Sequence, residues 1–492
     1  MKKVIFTLLS MACTFQLSMA QGNDSNTQSY LGIQLGQNMF SDNNRILGNN
    51  NDFNIQSIFS FQFGTGNMFS AINANIGNNN TGNFQNLIGA QIGEGNSLNS
   101  LNEINGNNID RNLQSAIVAQ FGMGNNMNTS NAIRGPGNTN NDTNFQSLIG
   151  TQIGMGNRLE RINAINSSSN SDRNFQSAIT SQFGIMNNFR SLNSISGGNN
   201  NDRNFQSAIG WQFGMSNMFS TLNTINGNSN DRNLQSANGA QFGEMNTINM
   251  NNQIMGNNND GNFQSFVGAQ IGDENDNFEN NNNIIGNNND LNSQSFVGAQ
   301  IGNENDEIEE NNKIIGNGND QNFQNFVGAQ IGNDNDELDD LNNIIGDNND
   351  RNFQNFIGVQ LIGNRDNQFD DGNQIEGNNN DDNFQSMLGL QIGPDNRFDE
   401  FNEIVGNNND SNFQSAIGTQ IGQGNVIEDL NQIEGNNNNR SFQNAMVSQL
   451  GVENNISMNN QLLGNNQDNN RQLFSMTQIG NGNMAMGNNI IQ

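Results

Sequence analysis

The sequence predicts an all-β protein, a β-solenoid of about 16 strand-turn-strand rungs that form two facing parallel sheets. Three observations lead there. A short motif returns about every thirty residues along nearly the whole 492-residue chain, two glutamines inside it stay six positions apart, and a Gly/Asn break separates two alternating segments.

Self-similarity at a fixed period is the signature of a stacked-repeat architecture. A Gln-x-Gly motif begins at Gln34, Gln62, Gln91, Gln120, Gln152, Gln182, Gln212 and Gln241, and again at Gln270, Gln300, Gln330, Gln360, Gln391, Gln420, Gln449 and Gln478. A second Gln stands six positions before each, from Gln28 and Gln56 through to Gln472. An Asn follows five residues after the second Gln, as at Asn96, Asn157, Asn217 and Asn425. Drift is small: Asn38 comes one residue early, and Leu361 adds one residue.

The stretch from Gln414 to Ile433 shows why each repeat reads as two strands. An even separation places Gln414 and Gln420 on one face of a strand, whereas a helix would place them on opposite sides. The β-branched residue three positions after the first Gln favours the strand as well. Gly422-x-Gly424-Asn425 then supplies the residue types a tight turn needs. Beyond Asn425, Ile427, Asn431 and Ile433 fall at even offsets, which predicts a second strand with one coherent face. A polar loop, Gly435 to Arg440, leads into the next copy.

Neither strand buries much alone, but stacked copies build two sheets. Gln above Gln and Asn above Asn, roughly 4.8 Å apart, can link their side-chain amides along the axis. The expected ladder residues are Gln85, Gln91, Gly93, Asn96 and Asn102 in one copy. Gln206, Gln212, Gly214, Asn217 and Asn223 are their counterparts in a second, and Gln414, Gln420, Gly422, Asn425 and Asn431 in a third. One ladder bond is worth about 1 kcal/mol net, so a single Gln-to-Leu exchange is expected to cost little.

These residues resemble the curlin repeat of the bacterial curli amyloid subunits, Ser-x5-Gln-x-Gly-x-Gly-Asn-x-Ala-x3-Gln. Gln414-x5-Gln420-x-Gly422-x-Gly424-Asn425-x-Ile427-x3-Asn431 follows it position for position, with Gln for the leading Ser and Asn for the closing Gln. The likeness spans residues 28 to 492. The loop between copies is longer than in curlin, and the copies are more numerous than in the familiar subunits. The resemblance implies inward-facing glutamines and glycine. The opposite face of the first strand carries Phe413, Ile417 and Ile421, which look equally core-like. Trp211 favours inward glutamines: it occupies a position filled elsewhere mostly by Ala, Thr, Ser, Val or Leu, and a close-packed interior does not accept that range of volumes. An apolar stripe is therefore expected outside, where it could join neighbouring filaments.

The first 20 residues read as a secretory signal peptide: Lys2-Lys3, an apolar run, and a small-x-small site at Ser18-Met19-Ala20. A short segment, 21–27, precedes the repeats. The formal charge is −30, and losing Lys2 and Lys3 would take it to −32. Such a surface repels nucleic acid, because phosphate binding needs Lys and Arg, and no later run is long enough to insert in a membrane. There is no His, the one Cys (Cys13) lies in the leader, and Lys313 is the only Lys outside it. That composition gives enzyme chemistry almost no support and implies no cofactor.

Asp stands four residues before the first Gln in all copies but two, where Thr81 and Asn439 replace it; Asp24, Asp110, Asp202, Asp290 and Asp410 are examples. Either the column binds divalent cations, or each Asp accepts a backbone N–H in the loop, with Arg111, Arg173, Arg203, Arg232 and Arg351 beside it relieving charge. Loop capping is the favoured reading. Residues 270 to 350 hold 18 acidic side chains and one basic, Lys313, which suits a solvated face better than a docking site.

The resemblance implies a secreted subunit of a curli-like functional amyloid or matrix fibre, serving adhesion and biofilm at the surface of a Gram-negative-type bacterium. Its partners would be further copies of itself, a nucleator homologue and an outer-membrane export channel. The alternative is a monomeric surface adhesin or ice-binding rod, although no Thr column exists. Seven residues, Gln21 to Thr27, precede the first Gln, and nine, Met484 to Gln492, follow Asn483. Both ends are therefore expected to be open to stacking.

Overall fold

The computed structural model describes residues 25–138, 143–169, 173–244, 247–273, 278–301, 308–331, 338–361, 368–376, 379, 382–393, 397–404, 411–433, 440–462 and 469–491. The expected leader, residues 1–20, lies outside them, as do residues 21–24 with Asp24, and also Asp410 and Asn439. Every regular element among the described residues is a strand.

The chain divides into two compact units, residues 1–216 with 227–229 and residues 217–226 with 230–492. In the first unit, the first strands of successive repeats run from Thr27–Leu35 through Phe84–Glu94 and Phe145–Met155 to Phe205–Met215. They pair parallel in sequence order. The second strands, from Met39–Leu47 to Asn188–Asn199, form the facing parallel sheet. The second unit repeats the plan. Its first strands run from Leu234–Glu244 to Arg471–Asn481 and its second strands from Met218–Asn226 to Met484–Ile491. This is the predicted β-solenoid, each repeat giving one strand to each sheet.

Register follows the motif. Gln56, Gln85 and Gln114 stand in line, as do Gln385, Gln414 and Gln443. Leu361 pairs with Ile331 and Ile392, so its strand keeps register.

The glutamines face inward, as the volume argument from Trp211 requires. Trp211 is 46% exposed, whereas Gln85, Gln91, Gln414 and Gln420 are fully buried. Between the two glutamines on the same face lies an apolar column that the repeat motif does not display. It comprises Leu87, Ala116, Leu148 and Ala178 in the first unit and Phe266, Phe296, Phe326 and Phe356 in the second, all buried. The second strands answer with Leu98, Met127, Leu159 and Phe189. Volumes are traded across the interior: Phe69 fills the space left by Gly89, where an added Cβ would stand 2.0 Å from its ring.

Glycine is imposed at both bends by the stack itself. At Gly422, φ is +134° and an added Cβ would lie 1.7 Å from the carbonyl oxygen of Gly451 in the next rung. At the far bend, Gly286 meets Gly316 in the same way, at 1.6 Å.

The long loop is built rather than slack. An Asn two residues before the first Gln recurs in every copy but one, where Ser441 stands, and the position is buried in all copies but the first and the last, Asn26 and Asn470. The Asn83 N–H donates to Asn54 Oδ1 (2.9 Å), and the Asn112 N–H to Asn83 Oδ1 (2.9 Å). Another Asn, five before the Gln, ties the far bend: Asn289 Nδ2 donates to Gly316 O at 2.8 Å.

Candidate functional site

The element that recurs in both units is a set of polar ladders enclosed between the sheets. Along the first strands, the described Gln amides donate to the Gln one rung later. Gln56 Nε2 donates to Gln85 Oε1 (2.7 Å), Gln85 to Gln114 (2.9 Å), Gln62 to Gln91 (2.7 Å) and Gln91 to Gln120 (2.8 Å). Gln206 accepts from Gln176 at 2.8 Å and Gln212 from Gln182 at 2.7 Å. In the second unit Gln414 accepts from Gln385 and donates to Gln443, both at 2.9 Å. Gln420 accepts from Gln391 at 3.0 Å and donates to Gln449 at 3.1 Å.

The interior Asn ladders run the other way. Asn96 Nδ2 donates back to Asn67 Oδ1 (3.0 Å), Asn102 Nδ2 back to Asn73 Oδ1 (3.0 Å), and Asn252 Nδ2 back to Asn223 Oδ1 (3.0 Å). Where both ladders are joined, a rung offers Gln donors and Asn acceptors toward one neighbour, and Gln acceptors with Asn donors toward the other; the Asn ladder is interrupted at Asn102 and Asn131, whose Oδ1 atoms have no hydrogen-bond partner among the described residues. The stack is polar, and the two ladders carry opposite sense.

The same amides tie the sheets together. Gln85 Nε2 also donates across the interior to the carbonyls of Ala74 and Asn102, both at 3.0 Å, and Asn102 Nδ2 returns a bond to Asn86 O at 3.2 Å. Gln420 Nε2 reaches Arg397 O (2.8 Å) and Asn425 O (3.0 Å). At the turn, Asn96 Nδ2 binds Gly122 O (3.0 Å), Asn217 Nδ2 binds Gly243 O (3.4 Å) and Asn425 Nδ2 binds Gly451 O (3.1 Å). Gly93 and Gly214, at φ +127° and +130°, make the bend. Asn431 pairs in register with Asn402 and Asn460, and its side chain lies outside the described residues. Spacing alone predicted the ladders but not the cross-ties, which depend on how far apart the sheets stand.

Among the described residues of the first unit, one interior position breaks the pattern. Arg161 lies in the column between Thr129 and Ser191 and is buried. Its Nη1 donates to Ala178 O (3.0 Å) and its guanidinium sits 5.6 Å from the centre of the Phe189 ring. Nε and Nη2 have no hydrogen-bond partner among the described residues. Gly150 opposite supplies the room, since a Cβ there would be 3.3 Å from Nη2. Burial pushes the guanidinium pKa down to about 9, so the charge persists at neutral pH. An unmatched buried charge costs stability. Replacing Arg161 by Thr, the residue one rung earlier, is expected to stabilise the protein by about 1–3 kcal/mol, read as a raised thermal midpoint.

The Asp column takes the capping role expected of it. The N–H of Asp231 donates to Asp260 Oδ1 and that of Asp260 to Asp290 Oδ1, both at 2.7 Å; Asp290 to Asp320 and Asp320 to Asp350 follow at 2.8 Å. Among the described residues no group of three or more His, Cys, Asp or Glu is disposed to hold a metal. Arg351 pairs with Asp382, at 2.6 and 3.0 Å.

Partial burial raises the Asp290 carboxyl pKa, with repulsion from Asp320 and Asp260 adding to it against the N–H of Asp260; Asp320 is raised likewise by burial and by Asp350. A folded-state pKa above the unfolded one means a contribution present below the ordinary carboxylate range and lost as pH rises through the folded value. Asp290→Asn keeps the acceptor and removes the charge. It is expected to raise stability at neutral pH by up to about 0.5 kcal/mol after solvent screening and to flatten the pH dependence of amide exchange at residues 260–320.

Fold and site define a two-sheet parallel β-solenoid locked by buried Gln and Asn ladders. No family model matches the chain, and no curated protein does.

Proposed function

We propose that this protein is a secreted, non-enzymatic structural subunit that polymerises by end-to-end stacking of its rungs into a curli-like extracellular fibre. The observation that carries the reading is the opposed polarity of the ladders. A rung without a neighbour presents Gln acceptors and Asn donors on one side, and Gln donors and Asn acceptors on the other. A second copy arriving head to tail meets all four groups with their complements and continues both backbone sheets, whereas a head-to-head approach sets donor against donor. An unpaired strand edge templates further pairing in any case. The match to the curlin repeat supports export through an outer-membrane channel and a nucleating homologue as partners, and a role in adhesion and biofilm.

Electron microscopy of the purified chain over a concentration series tests this. Unbranched fibres are expected, and a soluble domain fused after Gln492 should slow growth at that end while the protein stays β-rich. A chain that remains monomeric at high concentration would replace the fibre reading with that of a surface adhesin.

A further inference from the structure

The strands of the two sheets differ in charge. In the second unit, the seven consecutive first strands from Phe263–Asp273 to Phe442–Val452 contain a single charged residue, Asp273 at the end of the first. Their neighbours in the facing sheet carry acids in line, with Glu309, Asp339, Asp370, Asp399 and Glu428 paired one to the next. The outward positions of the first-strand sheet form ridges and a furrow. Val267 (44% exposed) and Val297 belong to one ridge, Ile271 (44% exposed) and Ile301 to another, and Ala269 and Ala299 lie between them. On the rungs that follow, the same sheet carries a line of stacked rings, Phe323, Phe353, Phe384, Phe413 and Phe442, with centroids 4.8 to 5.0 Å apart.

We propose that this face is a self-association surface, on which a second copy packs its own first-strand sheet with side-chain ridges set in the furrow. Three arguments favour a second copy as the occupant. On a chain of charge −30, this is the face across which two copies approach without carboxylate repulsion. Ridge and furrow repeat at the strand spacing in both copies, so a fit at one rung is a fit at every rung. Each rung offers about 130 Å² from strand spacing and rise, so six offer roughly 800 Å², the contribution of one partner to a standard interface. Exposed apolar patches of this size mark interaction sites. The proposal concerns pairing side by side and holds whether or not the rungs also stack end to end.

The test places Lys at two ridge positions, Val267→Lys with Val297→Lys, in the full chain. Thr224→Lys with Gln253→Lys on the other sheet controls for added positive charge. Sedimentation gives the mass of the soluble protein, and X-ray scattering gives the cross-section of any fibre. The unsubstituted chain and the control are expected to show the paired mass or cross-section, and the ridge variant half of it, with an unchanged β-type circular dichroism spectrum. If the ridge variant misfolds, Val267→Ser with Val297→Ser keeps the test, with weakened pairing expected. A single-solenoid cross-section for the unsubstituted chain at all concentrations overturns the proposal, as does a ridge variant that pairs normally. So does a chain that spreads as single rods at an apolar interface. Absence of fibres with paired soluble protein would count against end-to-end stacking alone.

Discussion

Replacing Gly422 by alanine is expected to destabilise the protein by roughly 3 kcal/mol or more, the range of backbone strain and steric clash combined. The new Cβ would meet the Gly451 carbonyl oxygen at 1.7 Å, and that oxygen belongs to the backbone of the next rung and already accepts from Asn425 Nδ2. Relief requires the rungs to part, which breaks strand pairing on either side. Gly424 is the internal control. Its φ is +61°, but an added Cβ would meet only Glu453 Cγ at 3.7 Å, so Gly424→Ala should cost about 1 kcal/mol of conformational strain. Denaturation midpoints measure both. Equal costs would mean that glycine is kept at Gly422 for its dihedral freedom and not for the closeness of the next rung.

A single interior Gln→Leu exchange should cost far more than the roughly 1 kcal/mol of one ladder bond. In Gln85→Leu, Gln56 Nε2 loses its ladder acceptor, and Gln114 Oε1 and the carbonyl oxygens of Ala74 and Asn102 lose a donor. Unsatisfied buried groups cost about 1–3 kcal/mol each; with relaxation, a loss of about 3–5 kcal/mol is expected. Exchanging the neighbouring glutamines to Leu as well should cost less per site, since fewer amides are then stranded. A cost below about 1 kcal/mol in the single variant would show that the amides are not enclosed.

The strands, their register and the inward glutamines were legible because a period of two needs only one sequence, and sixteen copies repeat it. The curlin match and the bulk of Trp211 together favoured the face on which the buried glutamines lie. The bond geometry of the interior was less legible. Leu87, Phe266 and their equivalents vary in size from rung to rung, since each is matched by a different partner such as the Phe69–Gly89 pair, so no consensus letter marks the column. Asn83 and its fellows were visible as a column more regular than the Asp beside it. The loop nevertheless read only as a polar connection, because polar residues between strands signal a turn before they signal burial. Arg161 was hidden for the opposite reason: one cation in one copy looks like surface decoration until the alternation is followed to its inward phase. The polarity of the ladders has no sequence signature at all, as it resides in which way each amide points.

Side-chain amide exchange tests the central claim most directly. With Gln and Asn labelled by ¹⁵N, the Nε2 protons of residues such as Gln85, Gln91, Gln414 and Gln420 are expected to persist in deuterated solvent nearly as long as the strand amides beside them. The exposed loop amide of Asn79, bonded to Asn108 at 3.1 Å in contact with solvent, should exchange quickly. Glutamine side chains that all exchange at the rate of free amides, in a protein whose backbone is protected, would contradict it.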